Sequence, residues 1–427
     1  MRRRTFLGST GGALTAIAAG AEARLASAVT RLGAKTPQEA ARDEDFWFRV
    51  RESFTIDRNH INLNSGSVSP APAPVQRAMQ QYWNITNMGP SLYVDELLGP
   101  RVEVARRRLA ETFGCSPEEL AFTRNASEAM EIVQFGIPLD PGDEVLTTTQ
   151  DYPRMLMTFR QRERRDGIVL RTVPYPTPPE DLSELTAILE RAITPRTKLL
   201  LICHTTFTTG QIFPVGEICR MARRHGVETL VDGAHGFAHF PFTRDELDCD
   251  YYGTSLHKWL FAPVGTGFLY VRKSRIPNVW PLMSAPESQD DDIRKFEQIG
   301  TNPIAIRGPI TEAVTFHEGL GAERKAERLV YLRRRWAERV KELPRVRVLN
   351  PPDIRQACGI GAMRIEGVDS GALTDFLEAK YRIHVRPRFV RGEFDCIRVS
   401  PSVFTTLEEI DLFSAAIEDA ASNGVSA

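Results

Sequence analysis

In the decapeptide Asp250-Tyr251-Tyr252-Gly253-Thr254-Ser255-Leu256-His257-Lys258-Trp259, a hydroxyl, an imidazole and an amine follow the end of an apolar run. A lysine set against an aromatic side chain at a strand end is desolvated, which lowers its pKa and leaves a neutral amine able to form a Schiff base with an aldehyde. Upstream, Asp232 closes a second apolar run, Val227 to Val231, and is followed by Gly233-Ala234-His235-Gly236. A carboxylate buried there needs a cation, and a protonated ring nitrogen would supply one. Taken alone, Ser-x-His-Lys reads as a solvated lysine; its pairing with Asp-Gly-Ala-His gives it weight.

That pair of motifs resembles the cofactor site of class V aminotransferase-fold enzymes. The resemblance implies pyridoxal 5′-phosphate as cofactor, Lys258 bound to its aldehyde, Asp232 stabilising the pyridinium, and His235 and His257 beside them. Arg124-Asn125-Ala126-Ser127-Glu128-Ala129 resembles the family's phosphate-binding turn. On its residues alone, this is a strand opening into a helix whose first N–H groups and Ser127 hydroxyl suit a phosphate, although a capping serine needs no ligand. By resemblance Ala126, Ser127 and Ser255 hold the phosphate, joined by Thr301 of a neighbouring subunit, so that a homodimer shares each site. Tyr152 stands where the family stacks a ring on the pyridine face.

The run His204-Thr205-Thr206-Phe207-Thr208-Thr209-Gly210 resembles the turn that reaches the cofactor's phenolic oxygen. Here the chain departs from the pattern: Phe207 occupies a position where an amide or hydroxyl is common, so Thr206 or His235 is expected to make that contact. Asn64, in a Leu-Asn-x-Gly-type loop, is expected to border the substrate pocket, and Arg398 to grip the substrate carboxylate through its planar fork. Arg386, Arg388 and Arg391 precede it. They suit either a second anionic group on the substrate or an exposed strand edge, and the sequence leaves both readings open.

The resemblance extends from about Asn62 to Phe413 and looks closest to the isopenicillin N epimerase-like branch. It implies a pyridoxal-phosphate enzyme of fold type I acting on an amino acid, with Lys258 as general base and acid. Transamination and epimerisation are the expected chemistries, with C–S or β-elimination as the alternative, since all pass through a common carbanion. A cysteine desulfurase needs a mobile cysteine before the carboxylate-binding arginine, and Val385 to Glu393 contains none. A non-catalytic binding protein of the same fold is a reading from another class, and the intact set of Lys258, Asp232 and Arg398 argues against it.

These residues need elements to position them. Strands at Leu120–Thr123, Glu144–Thr148, Val169–Val173, Lys198–Cys203, Val227–Val231, Tyr251–Thr254 and Gly267–Val271 alternate with helical spacings, which predicts an α/β fold with a mostly parallel sheet covered on both faces. Ligands in such folds sit beyond the carboxyl ends of the strands, where Ser127, Tyr152, Thr206, Asp232 and Ser255 fall. The division expected is an amino-terminal segment over 29–72, a large domain over 73–309 and a smaller α+β domain over 310–427. One long helix is expected from Ile310 through Leu343, with Arg333-Arg334-Arg335 on a solvated face.

The chain has 427 residues, 42% of them hydrophobic, and a formal net charge of -1, a balance that gives no reason to expect nucleic acid as a partner. Arg2-Arg3-Arg4-Thr5-Phe6-Leu7 and the Gly/Ala-rich stretch behind it look like a twin-arginine signal, too short for a stable membrane span. A periplasmic or otherwise exported protein, carried by the twin-arginine machinery, is therefore expected. Cleavage after Ala28 would remove four of the 54 basic and one of the 55 acidic residues, taking the charge to -4. The six cysteines show neither metal-ligand spacing nor a disulfide framework.

Overall fold

The structure, a computed structural model, describes residues 25–351 and 353–425. The arginine run at 2–4 lies outside them. Of the small-residue segment at 26–28, Ala28 is buried within a helix over 25–32, and Leu32 one turn on is buried with it.

Among the described residues thirteen strands form three sheets: β1 (Ile61–Asn62), β2 (Leu120–Thr123), β3 (Glu144–Thr148), β4 (Val169–Val173), β5 (Thr197–Cys203), β6 (Glu228–Asp232), β7 (Tyr251–Ser255), β8 (Gly267–Val271), β9 (Val346–Val348), β10 (Gly361–Ile365), β11 (Ile383–His384), β12 (Arg386–Val390) and β13 (Phe394–Val399). The large sheet has the order β2-β8-β7-β6-β5-β3-β4. Its pairings are parallel except those that β8 makes with β7 and β2. Strands covered on both faces must be apolar at nearly every position, which is why β5 reads Leu199-Leu200-Leu201-Ile202-Cys203. The period of two then divides its side chains between two cores. Leu200, Ile202, Val231, Tyr252 and Phe268 pack on one face; Leu199, Leu201, Leu230, Tyr251 and Leu269 pack on the other.

The small domain is an antiparallel sheet, β12-β13-β10-β9, packed on the helices Ala322–Val340, Ser370–Tyr381 and Leu407–Asn423 around Trp336, Phe376 and Phe413. β1 pairs with β11, tying the amino-terminal segment to this domain. The helix expected over 310–343 is two helices, Ile310–Leu320 and Ala322–Val340, because Gly321 at φ 81° closes the first in a conformation that favours glycine. Nor is 333–335 uniformly solvated: Arg333 is buried, Arg334 is exposed and Arg335 pairs with Asp411 at 2.7 Å. Among the described residues no helix is long and apolar enough to cross a membrane, and all six cysteines are free.

Candidate active site

The carboxyl ends of β2, β5, β6 and β7 and the turn after β3 converge with the small sheet on one cavity of about 230 Å³. Residues from distant parts of the chain line it: Gly66 and Ser67; Asn125, Ala126 and Ser127; Tyr152; Cys203, Thr205 and Phe207; Asp232 and His235; Ser255, His257 and Lys258; Arg388 and Arg398.

The floor is built by close backbone packing. Gly233 and Gly236 flank Ala234-His235 because a Cβ at Gly233 would lie 1.9 Å from the Tyr252 ring, and one at Gly236 would lie 2.5 Å from His204 Nδ1. The short turn brings the Asp232 carboxylate and the His235 ring to the cavity together. Asp232 Oδ1 accepts from the Ala234 N–H at 3.0 Å. Burial pushes its pKa up to about 6, against the pull of that N–H and of the Lys258 ammonium. Lys258 moves the other way, to about 8, because burial outweighs the attraction of Asp232. Its Nζ lies 3.3 Å from His235 Nε2, while the Trp259 indole N–H donates to His235 Nδ1 at 3.4 Å. Two anchors hold Trp259: its ring stacks on His239 at 3.7 Å, and its carbonyl accepts from the buried Lys325 at 2.6 Å.

On one side, the helix Ala126–Gly136 starts at the cavity. Asn125 caps it by accepting from the Glu128 N–H at 3.0 Å, and Ser255 Oγ accepts from the Ala126 N–H at 2.9 Å. With Ser127 and His257 these groups form a helix-start seat suited to an anion. His257 is fixed by the Thr266 carbonyl at 3.1 Å, and burial lowers its pKa to about 4. Arg124 plays no part in this seat, being paired with Glu128 at 2.8 Å.

The opposite wall comes from the small domain. Arg398 is buried, and its Nη2 donates to Asn64 Oδ1 at 2.6 Å and Ser67 Oγ at 2.7 Å, its Nη1 to the Phe207 carbonyl at 3.1 Å. Asn64 therefore stands behind Arg398 and orients it rather than lining the cavity, a correction to its expected place as a pocket residue. Tyr152 is 41% exposed at the rim, with its ring edge-on to Phe207 at 5.1 Å.

Ala126, Ser127, Tyr152, Asp232, His235, Ser255, His257, Lys258 and Arg398 are thus brought together. Thr206 is not. Its hydroxyl pairs with Thr209 Oγ1 at 2.9 Å and accepts from the Gln211 N–H at 3.1 Å, facing away from the cavity. The alternation of β5 runs on past the strand end, so that Cys203, Thr205 and Phe207 face inward while His204 and Thr206 face outward. Carrying that period forward from Cys203 would have selected Thr205, whose buried Oγ1 has no partner. Thr301 lies in an exposed segment that does not line this chain's cavity.

A family model described as aminotransferase class-V matches residues 61–413. The chain belongs to the class V aminotransferase family. Isopenicillin N epimerase of Amycolatopsis lactamdurans is 31% identical over 87% of this chain and 98% of the relative; that of Streptomyces clavuligerus is 30% identical over the same shares. A probable cysteine desulfurase of Synechocystis sp. is 25% identical over 86% of this chain and 94% of its own length. Among solved structures, a mutant of C-DES with glycine covalently linked to its PLP cofactor superposes with a TM-score of 0.78 at 24% identity, covering 86% of this chain and 99% of that one. The class V family uses pyridoxal 5′-phosphate, and the residues present fit it. A depressed lysine could take the aldehyde and a buried carboxylate the ring nitrogen, the helix start at Ala126 would suit the phosphate, and Thr205 offers an unpaired hydroxyl.

Proposed function

We propose that the protein acts on an α-amino acid by moving the proton on its α-carbon, in a transamination or an epimerisation. Membership of a pyridoxal-phosphate enzyme family supports action on an amino acid, and the relatives named as epimerases support the finer reading. The observation that carries it is the opposition of Lys258, lowered to about 8, and the anchored fork of Arg398 across one cavity. Arg398 would take the substrate carboxylate and fix which bond of the α-carbon faces Lys258. Lysine in its neutral form can then accept the α-proton and return it. The cofactor, when bound, supplies the electron sink that makes that proton acidic, and Asp232 keeps its ring nitrogen protonated. Tyr152 would cover the ring at the rim, and Ser127, Ser255 and His257 would hold the phosphate.

Elimination at the β-carbon is the second reading, supported by the relatives named as cysteine desulfurases. A persulfide-carrying desulfurase is disfavoured by the turn between β12 and β13. That turn holds no cysteine, and its Glu393 is pinned to the large domain by Thr149 and by Gln150 at 2.8 Å. Cys396 is fully buried on β13, with its thiol pushed up to about 12. The deciding experiment incubates holoenzyme with L- and D-amino acids in D₂O. Inverted amino acid deuterated at its α-carbon, or a keto acid that keeps the whole side chain, supports epimerisation or transamination, whereas ammonia with pyruvate or sulfide would establish elimination.

Two further readings belong here. Exposed apolar side chains at Trp83, Met88, Leu92 and Leu97 and again at Trp280, Leu282 and Met283 suit burial against a second copy, to which Thr301 would lend its hydroxyl. Sedimentation at a single-chain mass with full activity would exclude this. Export rests on Arg3-Arg4-Thr5-Phe6-Leu7 alone. Replacing Arg3 and Arg4 with lysine should retain the protein inside the cell, and unchanged export would rule out the twin-arginine route.

A further inference from the structure

Four acidic or basic side chains line the cavity, Asp232, Lys258, Arg388 and Arg398, and the reading above employs all but Arg388. In the β12–β13 register Arg386 lies opposite Arg398 and Arg388 opposite Cys396, so Arg388 and Arg398 are diagonal neighbours on one sheet face. Arg388 Cζ sits 5.5 Å from the centroid of the Phe207 ring, and Nη1 donates to its own neighbour, the Pro387 carbonyl, at 3.1 Å. Its Nε is buried without a partner, and so is that of Arg398. Among the described residues neither guanidinium has a carboxylate as a charge partner, whereas Arg106, buried as Arg398 is, is paired with Glu103 and Glu297.

Two like charges sharing a partly dry space without counter-charge are costly, and an anion that bridges or joins them removes the cost. The phosphate seat cannot serve, because it lies across the cavity at Ser127, Ser255 and His257. One substrate carboxylate satisfies one planar fork, and Arg398 already has the anchors to present its own. Phe207 fits the same account. Its ring underlies Arg388 while its carbonyl holds Arg398, so an apolar residue here serves both guanidiniums.

We propose that Arg388 forms a second anion subsite and that the preferred substrates are amino acids with an acidic group on the side chain. This rests on the amino-acid reading above. The test titrates holoenzyme with matched pairs, glutamate against glutamine, aspartate against asparagine and 2-aminoadipate against norleucine, and follows the cofactor's absorbance. Homocysteate is added to separate carboxylate from sulfonate. The acidic member should bind about tenfold or more tighter, the yield of one charge-assisted hydrogen bond. Arg388→Gln should erase that preference by weakening the acidic member alone, with neutral amino acids unchanged within about twofold. Arg388→Lys should restore part of it, and serves in place of Arg388→Gln if that variant fails to fold.

Equal binding within each wild-type pair, or equal weakening of both members by Arg388→Gln, would overturn the subsite. No spectral response to any amino acid would instead overturn the amino-acid reading and the subsite with it.

Discussion

The floor and the small-domain wall of the cavity treat charge in opposite ways. On the floor, Asp232 and Lys258 face one another, each moved toward its neutral form, and His235, Trp259, His239 and Lys325 lock the geometry behind them. On the wall, Arg388 and Arg398 stand side by side with no carboxylate charge partner among the described residues, anchored by neutral oxygens and a ring. A surface that always carries its ligand can afford a self-balanced pair, whereas one that binds and releases an anion needs its charge unspent. On the function proposed above, the resident cofactor would lie on the floor and the exchanging substrate against the wall.

The largest effect should come from removing the floor's amine. Lys258→Ala should lower turnover by at least about a thousandfold, since among the described residues no other lysine lines the cavity. The yellow absorbance that survives gel filtration of wild type should disappear, while a circular dichroism spectrum shows the fold intact. Near-normal turnover, or borohydride reduction that fixes the cofactor on another lysine, would assign the chemistry elsewhere. Next, Asp232→Asn should still capture the cofactor on Lys258 yet lose about a hundredfold or more in turnover, because the ring nitrogen loses its counter-charge. A loss confined to cofactor retention would make Asp232 a binding group only.

A wall variant should behave differently. Arg398→Lys keeps the charge but not the fork, so KM for the amino acid should rise about tenfold or more with cofactor retention unchanged. Weaker cofactor retention of similar size would erase the division between floor and wall. The floor also has a pH signature. Only neutral Lys258 can attack the aldehyde, so cofactor-free protein should load pyridoxal phosphate about tenfold faster per pH unit up to about 8, and at a constant rate above. Stopped-flow absorbance measures this. A rise continuing toward the ordinary lysine value of 10.5 would show that the amine is not desolvated.

The floor was the more legible half in sequence, for a physical reason. Its residues end buried strands, and a strand such as β5 announces itself by its unbroken apolar run from Leu199 to Cys203. The wall strand β12 reads Arg386-Pro387-Arg388 and hides as a loop, because an edge strand is blunted by charge and proline. From sequence alone Arg388 therefore stays open between a substrate contact and an exposed edge, and the cavity lining places it. Likewise the run Arg333-Arg334-Arg335 suggests a solvated face, yet the position of Arg333 on the helix turns it inward against Gly361, where a Cβ would lie 3.2 Å from its stem.

The finest distinction lies between adjacent threonines at the end of β5. Thr206 already spends its hydroxyl on Thr209 and on the Gln211 N–H, so Thr206→Val should lower the melting temperature by the value of about one hydrogen bond, roughly 1 kcal/mol, with cofactor affinity unchanged. Thr205 has a buried hydroxyl aimed at the cavity without a partner, so Thr205→Val should leave the cofactor-free protein as stable or slightly more so. Its dissociation constant for pyridoxal phosphate, read from fluorescence or absorbance, should instead rise by about two- to tenfold. The reverse pattern, with Thr206→Val weakening the cofactor and Thr205→Val only destabilising the chain, would return the contact to Thr206 and show that the alternation stops at Cys203.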